Sequence, residues 1–257
     1  MKKYWIIWLR TSLASVQGML THRGGAVLFL TGKWLRFGLF IWFLQLLHQR
    51  LAKLDSYSFE QLLTFFLVFN LVDLVPQIFF RGIYWFRNQV VSGEFDFVLL
   101  APMNGLWRIM TQSTDILDVP LLILVGVMLA RQPINWWGGA GVMGLVLLVS
   151  GLVVVTAIHI GVAALGVVTT EVDHTIMMYR DIAQMARFPV DIYTDWLRNG
   201  LTFVIPVAVA FTWPAKALLG LLSWPVAGAG VAVAVIAMGA ALKLWHYALK
   251  QYASASS

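Results

Sequence analysis

Lys33 and Arg36 lie three residues apart in one long apolar stretch, and Asp115 and Asp118 repeat that spacing in another. Residues three apart share a helical face. Each pair can therefore present two like charges to a neighbour, and the chemistry open to them is charge neutralisation away from water or ion coupling. A third set, Asn70, Asp73 and Gln77, continues to Arg81 at steps of three, four and four, along a helix otherwise made of Leu, Phe and Val. That stripe points away from lipid, either to line a pathway or to hydrogen-bond a neighbouring helix. His159 stands alone in a very apolar stretch, where packing suits it better than proton transfer.

Motifs for covalent or nucleotide chemistry are missing. A phosphate-binding loop needs Gly, four residues, then Gly-Lys-Ser/Thr, but Gly32-Lys33 is followed by Trp34, and Val27 stands where the first glycine belongs. There is no His-Glu-x-x-His helix, Gly-x-Ser-x-Gly elbow or cluster of metal ligands. With no cysteine, disulfides, thiolate metal sites and cysteine nucleophiles are excluded. The chain reads as no enzyme, with no catalytic, ATP-binding or metal residue and no cofactor of its own.

The elements that must position these residues follow from composition. Apolar residues make up 60% of 257, charged residues 12%, and mean hydropathy is +0.80, while one helical crossing of a bilayer needs about 20 mostly apolar residues. Apolar stretches at 26–49, 61–81, 109–131, 137–168 and 224–249 predict an all-α integral membrane domain. The polar insertions, about 15 to 30 residues, are too short for an ordinary soluble domain. Residues 1–22 carry Tyr4, Trp5 and Trp8 in a helical pattern and predict an interfacial helix, a basic disordered tail being the alternative. Their six-residue apolar run is short for a signal peptide, so the segment is expected to be retained.

Lys2, Lys3, Arg10, Arg23, Arg81, Arg87, Arg108, Lys243 and Lys250 all fall on one side of this layout, which predicts cytoplasmic amino and carboxy termini. The net charge of +6 is then a topology signal with attraction to membrane lipids as a side effect. Its charges form no stripe for nucleic acid. At 1.5 Å per residue, Lys33/Arg36 and Asp115/Asp118 both sit roughly 6 to 15 Å from the cytoplasmic boundary. Equal depth predicts a charge network between the first and third spans, unless the cations snorkel and the aspartates stay in water. Small residues at four-residue spacing, Ala157 with Gly161, Gly230 with Ala234 and Ala237 with Ala241, suggest close helix packing.

Three segments carry a resemblance. They are VSGEFDFVLLAP at 91–102, RFPVDIYTDWLRNGLTFVIPVAVAFTWPAKALLG at 187–220 with its spaced Pro189, Pro206 and Pro214, and LKLWHYALKQYASASS at 242–257, where Ala253 replaces an expected serine. In order and spacing they resemble the permease subunits of type-2 ABC exporters, in a branch of bacterial three-component systems, over nearly the whole chain. The resemblance implies export across the bacterial inner membrane through a pathway shared with a second permease subunit, identical or homologous. Two copies of a separate ATP-binding subunit would hold ATP and Mg.

The resemblance also makes 86–105 a cytoplasmic coupling loop with Arg87, Ser92, Gly93, Glu94, Phe95 and Asp96 as its coupling residues. There Glu94 and Asp96 can face basic groups of the partner while Phe95, Phe97, Val98 and Leu99 anchor the element; an ordinary amphipathic connector is the alternative. It further implies a fifth span at 170–188, with Arg180 and Asp181 buried in protein, and a re-entrant segment at 193–220 broken by the three prolines, giving six spans. Hydropathy alone would make Leu201 to Leu222 a simple span. Two other functions stay open: an ion-driven secondary transporter using Asp73 or the Asp115/Asp118 pair, and a non-transporting scaffold.

Overall fold

The computed structural model describes residues 2–21, 23–50, 57–169 and 173–252. Its helices are α1 (Lys2–Thr21), α2 (Arg23–Arg50), α3 (Phe59–Phe79), α4 (Ile83–Val91), α5 (Glu94–Leu100), α6 (Gly105–Thr111), α7 (Val119–Ala130), α8 (Gly139–Thr169), α9 (Asp173–Ala183), α10 (Asp195–Asn199), α11 (Trp213–Leu218) and α12 (Trp224–Gln251). No strand occurs among the described residues. Four helical runs are long and apolar enough to cross a membrane: Gly24–Gln49, Phe59–Val91, Gly139–Thr169 and Trp224–Gln251. Two bent pairs, Gly105–Thr111 with Ile116–Ala130 at 59° and Asp195–Val204 with Ala208–Leu218 at 84°, raise the number to six if each is one span.

α3 forms the centre because, apart from the stripe of Asn70, Asp73 and Gln77, it is apolar around its circumference. Phe65, Phe66, Leu67, Val68, Phe69 and Val72 are all buried, against α2, α7, α8 and the 3-10 turn Gln184–Arg187. Ser58 and Gln61 start the helix with a reciprocal capping box. α12 packs along α8, and Gly230, Ala234 and Ala241 of α12 are buried there. Gly161, by contrast, has open space around it and makes no small-residue contact.

The bundle has two ends. At the near end α1, α4, α5, α6 and the last turn of α12 meet; Trp8 stacks on Phe79 at 5.3 Å, and Thr11 donates to the Thr111 carbonyl at 3.4 Å. At the far end α3 begins, and Thr64 donates to Gln132 beyond α7 at 3.3 Å.

The expected third span at 109–131 is not continuous. α6 stops at Thr111, and a 3-10 turn, Ile116–Asp118, leads into α7. Pro120 sits in the first turn of α7, where its missing N–H has no intrahelical acceptor to lose.

Between α8 and α10, where a crossing at 170–188 is expected, α9 has eleven residues and the turn Gln184–Arg187 continues it; residues 170–172 lie outside the described ones. This segment still passes from α4 at the near end to Asp191, which accepts from Tyr57 at the far end at 2.9 Å. Arg180 lies over the Tyr84 ring at 5.5 Å, but Asp181 is exposed, contrary to the expected burial. Its position on the outer side of α9, opposite Tyr179 and Ala183, explains that.

After α10 the chain turns through two π-helical segments, Gly200–Val204 and Ala208–Thr212, with Pro206 between them. Pro206 is the breaker of this hairpin, since proline neither donates to nor fits a continuing helix. Pro189 instead precedes the short turn Val190–Ile192, and Pro214 lies in the first turn of α11, where proline is tolerated. A Cβ on Gly151 would come within 2.3 Å of the Ala210 carbonyl oxygen, so the hairpin rests directly on α8. Lys216 pairs with Asp191 at 2.7 Å and ties its returning limb to the far end.

Candidate functional site

The buried charges gather at the break in the third span. Lys33 of α2 contacts Asp118 directly and lies 3.6 Å from Asp115, whose same oxygen is 3.3 Å from Arg81. Both carboxylates are fully buried. Two cations and two anions thus form a neutral cluster, which is how ionised groups persist out of water. The broken helix helps, because Asp118 precedes the N-terminus of α7, where backbone dipoles favour a negative charge. Arg36 makes no ion pair among the described residues and is exposed one turn further along α2. Arg81, placed by the sequence at the end of the polar stripe, takes the position expected for Arg36.

The stripe itself faces inward. Asn70, Asp73 and Gln77 line a cavity beside Lys33, Arg36 and Arg187. Gln77 donates to the Asp73 carboxylate at 2.7 Å, and Asn70 donates to the Phe66 carbonyl at 2.7 Å. The polar groups thus find partners within α3 and front a space. His159 hydrogen-bonds the Val155 carbonyl at 2.8 Å among the rings of Phe80, Tyr84 and Tyr179, a packing position.

At the near end α4 and α5 form a hinged pair. Ser92 caps α4, and Gly93 has φ 76°, a left-handed conformation that glycine adopts without strain and that turns the chain into α5. Phe95 is fully buried and meets Phe86 at 5.0 Å, Trp245 at 6.3 Å and Tyr252 at 5.0 Å. Val98, one turn on, is buried too. Phe97 and Leu99 are exposed rather than anchoring, because a helix places them off the Phe95/Val98 side.

Among the acidic residues Glu94 is exposed, while Asp96 accepts from the Tyr252 hydroxyl at 2.9 Å. Partial burial, then the hydrogen bond and charge of Asp96, raise the Tyr252 phenol above its ordinary value, so it remains the donor. Arg87 lines a small cleft together with Val162 of α8 and Ile176 of α9. α4 is also tied to the break in the third span. Gln112 donates to the Gly82 carbonyl at 3.3 Å, and Gln89 donates to Gln112 at 2.9 Å.

Residues 34–256 match the family described as ABC-2 family transporter protein. The chain belongs to that family. No curated protein and no solved structure matches it. As an ABC-2 permease it is a multi-pass membrane subunit of an ABC transporter, a transport component that works with ATP-binding subunits. Both the resemblance and the all-helical fold expected from the sequence hold.

In this ABC-2 permease three residues gained a place that sequence reasoning missed. Arg81 had a signal, since it continues the Asn70 stripe. Arg187 and Tyr252 lie in the segments that carry the resemblance, but nothing in the sequence pairs them with Phe69 and Asp96, more than 100 residues away in the chain. The carboxy-terminal motif continues past Tyr252 into 253–257, outside the described residues.

Proposed function

We propose that this chain is the permease subunit of an ATP-driven exporter in a bacterial inner membrane. It would share its substrate pathway with a second permease, identical or homologous, and take its energy from two ATP-binding subunits holding ATP and Mg. The near end, with both termini, faces the cytoplasm in this reading, and α4–α5 is the coupling element.

One observation carries it. α5 plugs Phe95 into a pocket of Phe86, Trp245 and Tyr252 while leaving Glu94, Phe97 and Leu100 exposed. A short helix fixed to the bundle by Phe95, Val98 and the Asp96–Tyr252 hydrogen bond, with an acidic and apolar outer side, suits a partner that pushes on it. Displacement of α5 would bear on α12 through Trp245 and on the third-span break through α4 and Gln112. The neutral Lys33, Arg81, Asp115 and Asp118 cluster then holds that break together as the helices shift.

Purification from the native host with bound subunits, followed by ATPase and vesicle transport assays, tests the reading. Glu94→Arg with Phe97→Arg should leave the chain folded and lower the transport gained per ATP hydrolysed. Unchanged coupling refutes the role of α5. Transport in vesicles driven by an ion gradient without ATP refutes the energy source.

A further inference from the structure

Two guanidinium groups in this bundle share a single carboxylate, Asp73, without a direct ion pair to it. Arg36 and Arg187 line a narrow cleft of about 30 Å³ between α2, α3 and the turn Gln184–Arg187. Among the described residues neither forms an ion pair. Arg187 is held over Phe40 at 5.4 Å and Phe69 at 5.5 Å, and its Nε is buried with no hydrogen-bond partner. Asp73 is the carboxylate lining this cavity, and one of its oxygens is occupied by Gln77. Lys33 is already neutralised by Asp115 and Asp118. The cavity is therefore cationic by the excess of Arg36 and Arg187 over Asp73.

Unneutralised charge within membrane depth is expensive and marks a place where a ligand supplies the counter-charge. A guanidinium presents a fork of donors that matches phosphate oxygens. Asn70 uses one N–H on the Phe66 carbonyl, and its second is free to join them. Access is sideways: Arg36 is exposed, and so are Leu35 and Leu39 beside it on α2. Twelve residues separate Gly24 from Arg36, about 18 Å of helix. With Gly24 at the membrane boundary, a headgroup here would lie deeper than that of a lipid resting in the leaflet.

We propose that this cavity takes the phosphate group of an anionic amphiphile between Arg36 and Arg187, its tail lying along the exposed flank of α2. As a substrate class this rests on the transport reading. Binding itself needs no ATP, so its failure is distinguishable from a failure of ATP coupling.

The test is equilibrium binding to the full chain, purified in detergent with whatever subunits accompany it. Short-chain phosphatidylglycerol, the matching phosphate-free diacylglycerol and inorganic phosphate are titrated separately, with binding read by thermophoresis. Phosphatidylglycerol should bind saturably, and Arg36→Gln and Arg187→Gln should each weaken it about tenfold. Asp73→Asn, which removes a repelling charge, should tighten it, an effect that a merely structural Asp73 does not produce. Arg36 is exposed, so its variant carries the test even where Arg187→Gln fails to fold.

Phosphate-free lipid binding equally well, or affinity unmoved by the arginine variants, overturns the site. Inorganic phosphate binding as tightly as the lipid, with the same variant pattern, overturns the amphiphile and leaves a free anion as the ligand.

Discussion

Replacing Lys33 by methionine removes one ammonium from a cluster whose side chains are 14%, 1% and 0% exposed at Lys33, Asp115 and Asp118. Arg81 then remains 3.3 Å from Asp115, and Asp118 loses its direct partner. Breaking a buried pair by deleting one member costs about 3–5 kcal/mol, mostly as the penalty on the stranded charge. A domain of this size loses roughly 2–4 °C of melting temperature per kcal/mol, so Lys33→Met should melt roughly 6–20 °C lower.

Adding Asp118→Asn removes the stranded charge and should restore part of that loss, with a coupling of about 0.5–3 kcal/mol. Arg36→Met is the contrast: with no ion pair, it should stay within about 0.5 kcal/mol of wild type in lipid-free detergent. Intrinsic fluorescence of the 12 tryptophans during heating reads wild type, the three single variants Lys33→Met, Asp118→Asn and Arg36→Met, and the double variant, and gel filtration after heating checks that the loss is unfolding. Equal damage from Arg36→Met and Lys33→Met, or a double variant no more stable than the worse single one, refutes the reasoning.

Phe95→Ala should cost about 3–5 kcal/mol by emptying the pocket under α5, whereas Phe97→Ala, at 71% exposure, should leave the melting temperature unchanged while lowering ATPase coupling in the assembled transporter. Gly151→Ala puts a methyl against the Ala210 carbonyl and should destabilise by about 1–3 kcal/mol, read as the same thermal shift. Burial first, then the hydrogen bond and charge of Asp191, raise the Tyr57 phenol above its ordinary value. Its advantage over Tyr57→Phe should thus be full below about pH 10 and fade as pH rises through the raised value. Melting curves of both proteins between roughly pH 8 and 11 check this, and a difference that grows with pH contradicts it.

Much of this architecture is legible in the chain because a bilayer asks for one thing over and over: long apolar helices whose backbones satisfy themselves. That demand makes α2, α3, α8 and α12 readable. It also limits where an aspartate can go, so equal depth makes a meeting of Lys33 with Asp115 and Asp118 foreseeable, though it foresees Arg36 there equally. The broken third span left a weaker trace in Pro120 and the two aspartates before it, overridden in a hydropathy window by the apolar residues around them. Phe97 and Leu99 are misassigned for a related reason: α5 is seven residues long, and composition does not say which side of so short a helix meets the bundle.

The sequence by itself determined the membrane class, the family and which charges must share a depth. Only tertiary structure decided that Arg81 rather than Arg36 completes the buried cluster, that Arg187 comes to the cavity of Asn70, Asp73 and Gln77, and that Tyr252 closes on Asp96. The reason is that hydrophobicity is a property of residue type and spacing, summed along the chain. A choice between two equivalent cations instead depends on how far a helix is rotated and where its neighbour breaks, which packing alone determines.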